Sequence, residues 1–251
     1  MNDFVIVIPS RYASTRLPGK PLLCATGRPL IRHVVEAVSA AGSVERVVVA
    51  TDDDRIATAV AGFGGEAMMT RADHASGTDR VAEAVEKLAL GDERVVVNVQ
   101  GDEPEIPPSC VDRLVELIQR SGAPMATLAT RLDAREADDP NRVKVVLDAD
   151  GRALYFSRAK IPHDRDGAGG VEYFLHLGVY AYRAGYVKAF AALPPGLAEQ
   201  AEKLEQLRAL EHGETIAVGI VDYRGRGIDT AEDYQQFVNR VQGDEKGKQK
   251  T

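Results

Sequence analysis

The 251-residue sequence has no tryptophan and only two cysteines, Cys24 and Cys110. Two thiols so far apart, with no CxxC pair or Cys/His cluster, argue against a disulfide framework or a structural zinc site. They fit a reducing compartment, so a cytoplasmic location is expected. Long apolar runs are also missing. No stretch approaches the roughly 20 residues needed to span a bilayer, and Met1-Asn2-Asp3 with five apolar residues before Pro9 lacks the basic start and long core of a secretory signal. Nor is there an excess of positive charge: 31 Lys+Arg against 38 Asp+Glu leave a net charge of −7. That balance argues against nucleic acid or an anionic membrane as a partner, although a local basic pocket is compatible with it. What is present, 44% hydrophobic and 27% charged residues, is the composition of a globular protein, and the length suits one α/β domain with a smaller appendage.

Short β-branched runs alternate with amphipathic segments through the first half. Phe4 to Ile8, stopped by Pro9, reads as a strand covered on both faces. Pro29 to Ala41 places Leu30, Ile31, Val34, Val35 and Val38 at helical spacing. Val47 to Ala50, Glu66 to Met69, Val95 to Val99 and Met125 to Thr130 read as further strands, and Asp53 to Ala61, Thr78 to Leu90 and Pro108 to Arg120 as helices. Such alternation predicts βαβ units and a mostly parallel sheet. Beyond residue 131 the regularity fades. Val143 to Leu147 and Ala153 to Phe156 flank an Asp-Gly turn and predict an antiparallel hairpin; Leu175 to Tyr182 reads as a strand, Glu199 to Leu210 as a helix, Ile216 to Val221 as a strand. A last helix, Thr230 to Val241, starts at a Thr230/Asp233 capping pattern, and the charged end is expected to fray. The expected division is an α/β core of residues 1–130 and 211–242, an appendage of 131–210, and a flexible tail of 243–251.

Three loops carry chemistry. Pro9-Ser10-Arg11-Tyr12-Ala13-Ser14-Thr15-Arg16-Leu17-Pro18-Gly19-Lys20 places three cations at the carboxyl end of a buried strand, where open α/β sheets bind their ligands. Arginine grips phosphate oxygens bidentately and lysine adds a compact charge, so this loop suits an oligophosphate, although it is neither a Walker A loop nor a GxGxxG turn. Arg71 to Arg80, with Ser76 and Thr78, forms a helix entry that serves either as a cap or as an anion contact. Val99-Gln100-Gly101-Asp102-Glu103-Pro104 leaves Asp102 past a strand end, as a turn residue or a ligand for Mg²⁺. Asp229, before the last helix, reads first as a cap, although two acids at such ends could converge on one metal.

In combination, IPSRYASTRLPGKPL, TRADHASGTDR, VNVQGDEP, VKVVLD with ALYFSRAKIP, HLGVYAYR, LEQLRAL and GIDTAED resemble the 3-deoxy-manno-octulosonate (Kdo) cytidylyltransferases over residues 4 to 240. The opening motif is shared with sialic-acid cytidylyltransferases; YFSRAKIP, HLGVYAYR and LEQLR point to Kdo. One departure is His163, where relatives often carry Trp. The resemblance implies a Rossmann-like (GT-A-like) nucleotidyltransferase fold with a small antiparallel β appendage, homodimerisation, and CMP transfer from CTP to Kdo for lipopolysaccharide synthesis. It implies that Arg11 and Lys20 bind the triphosphate with Arg16 in the same nucleotide-binding loop, that Asp102 and Asp229 hold Mg²⁺, and that Arg11, Lys20, Asp102 and Asp229 are the catalytic set. Arg71, Ser76 and Gln100 would adjoin the nucleotide, and Gln100, Arg158, His176, Tyr180, Glu205 and Gln206 the sugar acid. A sialate-activating enzyme and a non-catalytic sugar- or nucleotide-sensing module are the alternatives.

Overall fold

In a computed structural model the described residues are 4–13, 16–167, 169–224 and 227–248. Ser14 and Thr15 of the opening motif and the last three residues of the expected tail lie outside them. The chain forms two compact units, one of residues 1–87, 98–108 and 225–251, the other of 88–97 and 109–224.

In the first unit, β1 (Phe4–Ser10) is buried along its whole length, as its unbroken apolar run requires. It pairs in parallel with β2 (Val44–Thr51), and β2 in parallel with β3 (Glu66–Met69). Helices α1 (Leu30–Ser39), α2 (Asp54–Gly62), α3 (Gly77–Lys87) and α8 (Ala231–Lys248) complete it. On α1 the buried residues are Leu30, Ile31, His33, Val34 and Val38, one stripe of the helix. Each later helix starts at a polar cap. The Asp53 carboxylate accepts from the Arg55 amide at 2.9 Å. Ser76 and Asp79 form a reciprocal capping box: the Ser76 amide donates to Asp79 at 2.9 Å and the Asp79 amide to Ser76 Oγ at 3.1 Å. Thr230 and Asp233 repeat this at α8, at 2.9 and 3.1 Å. Behind that cap, Phe237 and Val238 pack on Leu30 and Ile228, with Leu17 and Tyr234 against the cluster; burying one Phe side chain contributes about 1.5–3 kcal/mol.

The second unit is built on β5 (Met125–Leu132), which runs parallel to β9 (Ile216–Ile220) and antiparallel to β8 (Tyr173–Arg183). β4 (Val95–Asn98) lies on the other side of β8. The expected hairpin is present: β6 (Lys144–Leu147) pairs antiparallel with β7 (Ala153–Ser157). At its turn the Asp148 carboxylate accepts from the amides of Asp150 and Arg152, and Gly151 takes φ 77°. Helices α4 (Pro108–Ser121), α5 (Ala184–Ala192), α6 (Leu197–Glu202) and α7 (Leu207–Glu211) pack around these strands. Lys144 is fully buried and donates to the carbonyls of Asp139 and Arg158 at 2.9 and 2.6 Å, tying two loops together.

Four sequence expectations need correction. The helix expected over 199–210 is two short helices, broken where Lys203 enters the left-handed region at φ 55°. α5 was not foreseen, because it follows β8 directly and no side chain caps it. α8 continues to Lys248 instead of fraying at residue 243: Glu and Lys are good helix formers, and one interior glycine costs only about 1 kcal/mol. Finally, the compact units divide the chain elsewhere than at residue 131, because β5 pairs with β8 from Met125 to Leu132 and groups with it.

Removing the Thr230 hydroxyl strips one half of the α8 capping box. Thr230→Ala is therefore expected to cost about 1 kcal/mol, read as a lower urea midpoint with an unchanged slope.

Candidate active site

In the first unit a cleft of about 270 Å³ opens where β1 and the segment following β4 end, lined by both of the expected carboxylates. Two backbone contacts set its frame. The Val99 amide donates to the Val7 carbonyl at 3.3 Å, and the Ile228 amide donates to the Asp102 carbonyl at 2.9 Å. The second bond brings the chain bearing Asp229 alongside Asp102, although the two are far apart in sequence. The α8 capping box sharpens the placement, since the Asp233 carboxylate also accepts from the Asp229 amide at 3.2 Å.

Between the two carboxylates lies Lys20. Its Nζ donates to Asp102 Oδ2 at 2.7 Å and to the Ile228 carbonyl at 2.7 Å, and stands 3.6 Å from Asp229 Oδ1. Its side chain is 15% exposed, against 27% for Asp102 and 46% for Asp229. Arg16, 66% exposed, reaches Asp229 Oδ2 at 3.1 Å from the solvent side. Arg11 also lines the cleft, is exposed, and has no hydrogen-bond or ionic partner among the described residues. Gly101 fits where the walls converge: a Cβ there would come within 3.3 Å of the Pro9 carbonyl.

Ser76 and Gln100 line the same cleft, Gln100 with its Nε2 donating to Asn98 Oδ1 at 3.2 Å. Arg71 is not among the lining residues, and its guanidinium is engaged by Asp73 at 2.9 Å. Two lining residues escaped the sequence reading. Arg80 is buried, donating to Thr70 Oγ1 and, at 3.1 Å, to Asp52. His74 Nε2 donates to the Glu83 carboxylate, which also pairs with Lys87 at 2.7 Å and accepts from the Arg71 amide at 3.0 Å. Burial alone would raise the Glu83 carboxyl, but Lys87, the Arg71 amide and His74 together bring it down to about 2. The available signal was position: both residues flank the helix entry at Ser76.

The residues expected at the sugar acid lie in the second unit. His176 and Tyr180 are four apart on β8, a separation of about 13 Å in a regular strand, yet their rings lie 5.4 Å apart. The cause is a bulge. Thr127 pairs with Tyr180 but Leu128 with Leu177, so Gly178 and Val179 are extra on β8. Thr127 Oγ1 sits under the bulge, 2.8 Å from the Val179 carbonyl, 3.1 Å from the Leu177 carbonyl and 3.0 Å from His176 Nε2. A hydroxyl has one proton, and with two carbonyls in reach it goes to one of them. Nε2 must then be the donor, which leaves His176 Nδ1 as the acceptor. Desolvation among Phe156, Tyr180 and the strand pushes His176 down to about 3. Burial, and secondarily the charge of Glu205, pushes the Tyr180 phenol well above its ordinary value. Gln206 is buried, and its Nε2 has no partner among the described residues. Arg158 is held by the Glu202 and Pro140 carbonyls at 2.7 and 3.0 Å. His176, Tyr180 and Glu205 thus form one group, with Arg158 anchored separately on α6.

Cations gathered around a carboxylate pair beyond parallel strands suit a phosphorylated ligand, and likeness to known proteins defines the class as nucleotidyltransferase. The chain belongs to the cytidylyltransferase family, whose model matches residues 5–216. It is 55% identical over 235 residues, 92% of this chain and 94% of the relative, to the 3-deoxy-manno-octulosonate cytidylyltransferase of Syntrophobacter fumaroxidans. Among solved structures it resembles a CMP:2-keto-3-deoxy-manno-octonic acid synthetase complexed with CTP, with TM-score 0.92 and 43% identity over 97% of this chain and all of that one. The 4-diphosphocytidyl-2C-methyl-D-erythritol synthase of Anaerococcus prevotii, 15% identical with TM-score 0.62 over 96% of this chain and 99% of that one, shares the fold.

The depressed His176 pKa has a defined sign. An unfolded imidazole protonates near pH 6.5 and the folded one only near 3. Its contribution to stability is thus complete above about pH 6.5 and is lost as pH falls toward 3. Urea melts over that window are expected to show a shallower loss of stability for His176→Gln than for the parent protein; parallel curves would contradict the assignment.

Proposed function

We propose that this protein transfers the cytidylyl group of CTP to Kdo. The anomeric C2 hydroxyl oxygen attacks the α-phosphorus, a C2–O–P bond forms, the bond to the β-phosphate bridging oxygen breaks, pyrophosphate leaves, and the hydroxyl proton passes to solvent. The products are CMP-Kdo and pyrophosphate, with no covalent enzyme intermediate. The observation that carries this reading is the convergence of Asp102, Asp229 and Lys20 at one point of a cleft lined by further cations, in a chain 55% identical to a Kdo cytidylyltransferase.

The donor set fits Mg²⁺. Two carboxylates already share one cation, the Lys20 ammonium, and their hard oxygen ligands suit an ion that uses one or two carboxylates and completes its shell with water and phosphate. Asp102 and Asp229 are the residues to hold it, and when bound it supplies neutralisation of charge at the reacting phosphate. The chain's own groups do the rest. Arg11, unpartnered among the described residues, and Arg16 present guanidinium forks to phosphate oxygens. Asn98 holds Gln100 in place, and the Ser76 capping box fixes the entry of α3 at the cleft wall. Holding two anions in line against their mutual repulsion accounts for the abundance of cations.

For the sugar acid, neutral His176 offers an Nδ1 acceptor, Tyr180 a phenol that stays protonated, and Gln206 an unpaired amide donor, a set that matches a polyhydroxylated acid. Arg158 would supply the positive charge for its carboxylate. The same reading carries a cytoplasmic homodimer that serves lipopolysaccharide synthesis.

Pyrophosphate release with Mg²⁺ and CTP, measured in parallel with Kdo, N-acetylneuraminate and no acceptor, tests this directly. Release is expected with Kdo alone. Release with neuraminate alone would overturn the substrate, and no release with either would favour a binding module.

A further inference from the structure

The placement of Lys20 says more than that it is a cation in a phosphate site. Its ammonium donates to Asp102 Oδ2 and to the Ile228 carbonyl at 2.7 Å each, and stands in ionic contact with Asp229 Oδ1 at 3.6 Å. Two of its protons are thus engaged and its charge is shared by both carboxylates, so a phosphate can take Lys20 only in competition with them. A divalent ion held by both carboxylates meets the same ammonium. Ligated at about 2.1 Å to the oxygen that Lys20 already contacts, Mg²⁺ would lie within about 5 Å of the ammonium, and like charges at that range repel strongly in a partly buried site. The two occupants compete for the pair.

We infer that Lys20 is an internal counter-ion that occupies the carboxylate pair in the ligand-free protein and yields it to a metal only when a triphosphate takes the ammonium away. This rests on the reading of Asp102 and Asp229 as metal ligands. A triphosphate relieves both obstacles at once. Its oxygens are better acceptors for Lys20 than a carboxylate and a carbonyl shared with other charges, and its charge completes the coordination of the incoming ion. Metal and nucleotide therefore enter as one unit, and the nucleotide-free protein holds little metal at this pair. Arg16, the second cation on Asp229, is 66% exposed and opposes the exchange weakly, as exposed ion pairs do. The lock also has a structural use: without Lys20, two carboxylates brought together by the Ile228–Asp102 backbone bond would face each other with only the exposed Arg16 to balance them.

The test is Mn²⁺ binding to the full-length protein without nucleotide, read by electron paramagnetic resonance. Lys20→Met, which keeps the side chain's length and removes its charge, is expected to tighten Mn²⁺ binding by about tenfold or more, and the gain is expected to vanish in Lys20→Met/Asp102→Asn. Unchanged affinity in folded Lys20→Met overturns the counter-ion. A gain that survives Asp102→Asn instead places the ion elsewhere and overturns the metal-ligand reading itself. Should Lys20→Met not fold, ¹⁵N-lysine NMR of the parent protein decides the matter. The Lys20 ammonium signal, identified by its loss in Asp102→Asn, is expected to persist in millimolar Mg²⁺ and to shift on addition of CTP without metal. Loss in Mg²⁺ alone, or indifference to CTP, overturns the proposal.

Discussion

A partly buried ammonium shared by two carboxylates from distant parts of the chain organises the first unit's cleft. Lys20 reaches Asp102 and the Ile228 carbonyl at 2.7 Å, and Asp229 at 3.6 Å. Two acids brought this close without a cation would repel or take up a proton. The ammonium removes that conflict, and the surrounding architecture serves to hold the three groups together. β1 delivers the loop that ends at Lys20, the segment after β4 delivers Asp102, and the Ile228–Asp102 backbone bond with the α8 capping box delivers Asp229. The hydrophobic cluster of Leu30, Ile228, Phe237 and Val238 fixes α8 behind the acid. Stability and function meet there, because the apolar packing that anchors the last helix also aims a carboxylate.

The second unit solves a different problem, bringing side chains of one strand together at a distance that a regular strand does not allow. The β8 bulge does so with Gly178 and Val179, and Thr127 beneath it satisfies the displaced carbonyls while fixing the His176 tautomer. Desolvation then keeps the imidazole neutral across the physiological range. The result is a polar group of fixed donors and acceptors, suited to reading hydroxyls rather than to moving protons.

Much of this was legible in the sequence. The strand at Phe4, the helix stripe at Leu30 and the Asp-Gly hairpin follow from local periodicity and turn chemistry, which need no knowledge of distant contacts. That the cations after β1 would line a cleft was legible because open α/β sheets place their clefts at the carboxyl ends of strands. What local pattern could not supply were consequences of tertiary pairing: the bulge on β8, the break at Lys203, and the partition that sends β5 with β8. Nor could it predict that Lys20 would neutralise the acids rather than stand free, since that depends on a backbone bond between segments far apart in sequence. His74 and Arg80 were missed for a related reason. Each is a polar residue of an ordinary helix entry until the fold places it on the cleft wall.

If Asp102 and Asp229 act through one shared cation, they are a single functional unit. A double-mutant cycle on turnover with Asp102→Asn and Asp229→Asn, alone and combined, measures this directly. The account predicts that each single change costs roughly 100-fold or more and that the pair costs little beyond the worse single change, as groups acting together do. Costs that multiply would mean that the two acids work independently and would contradict it.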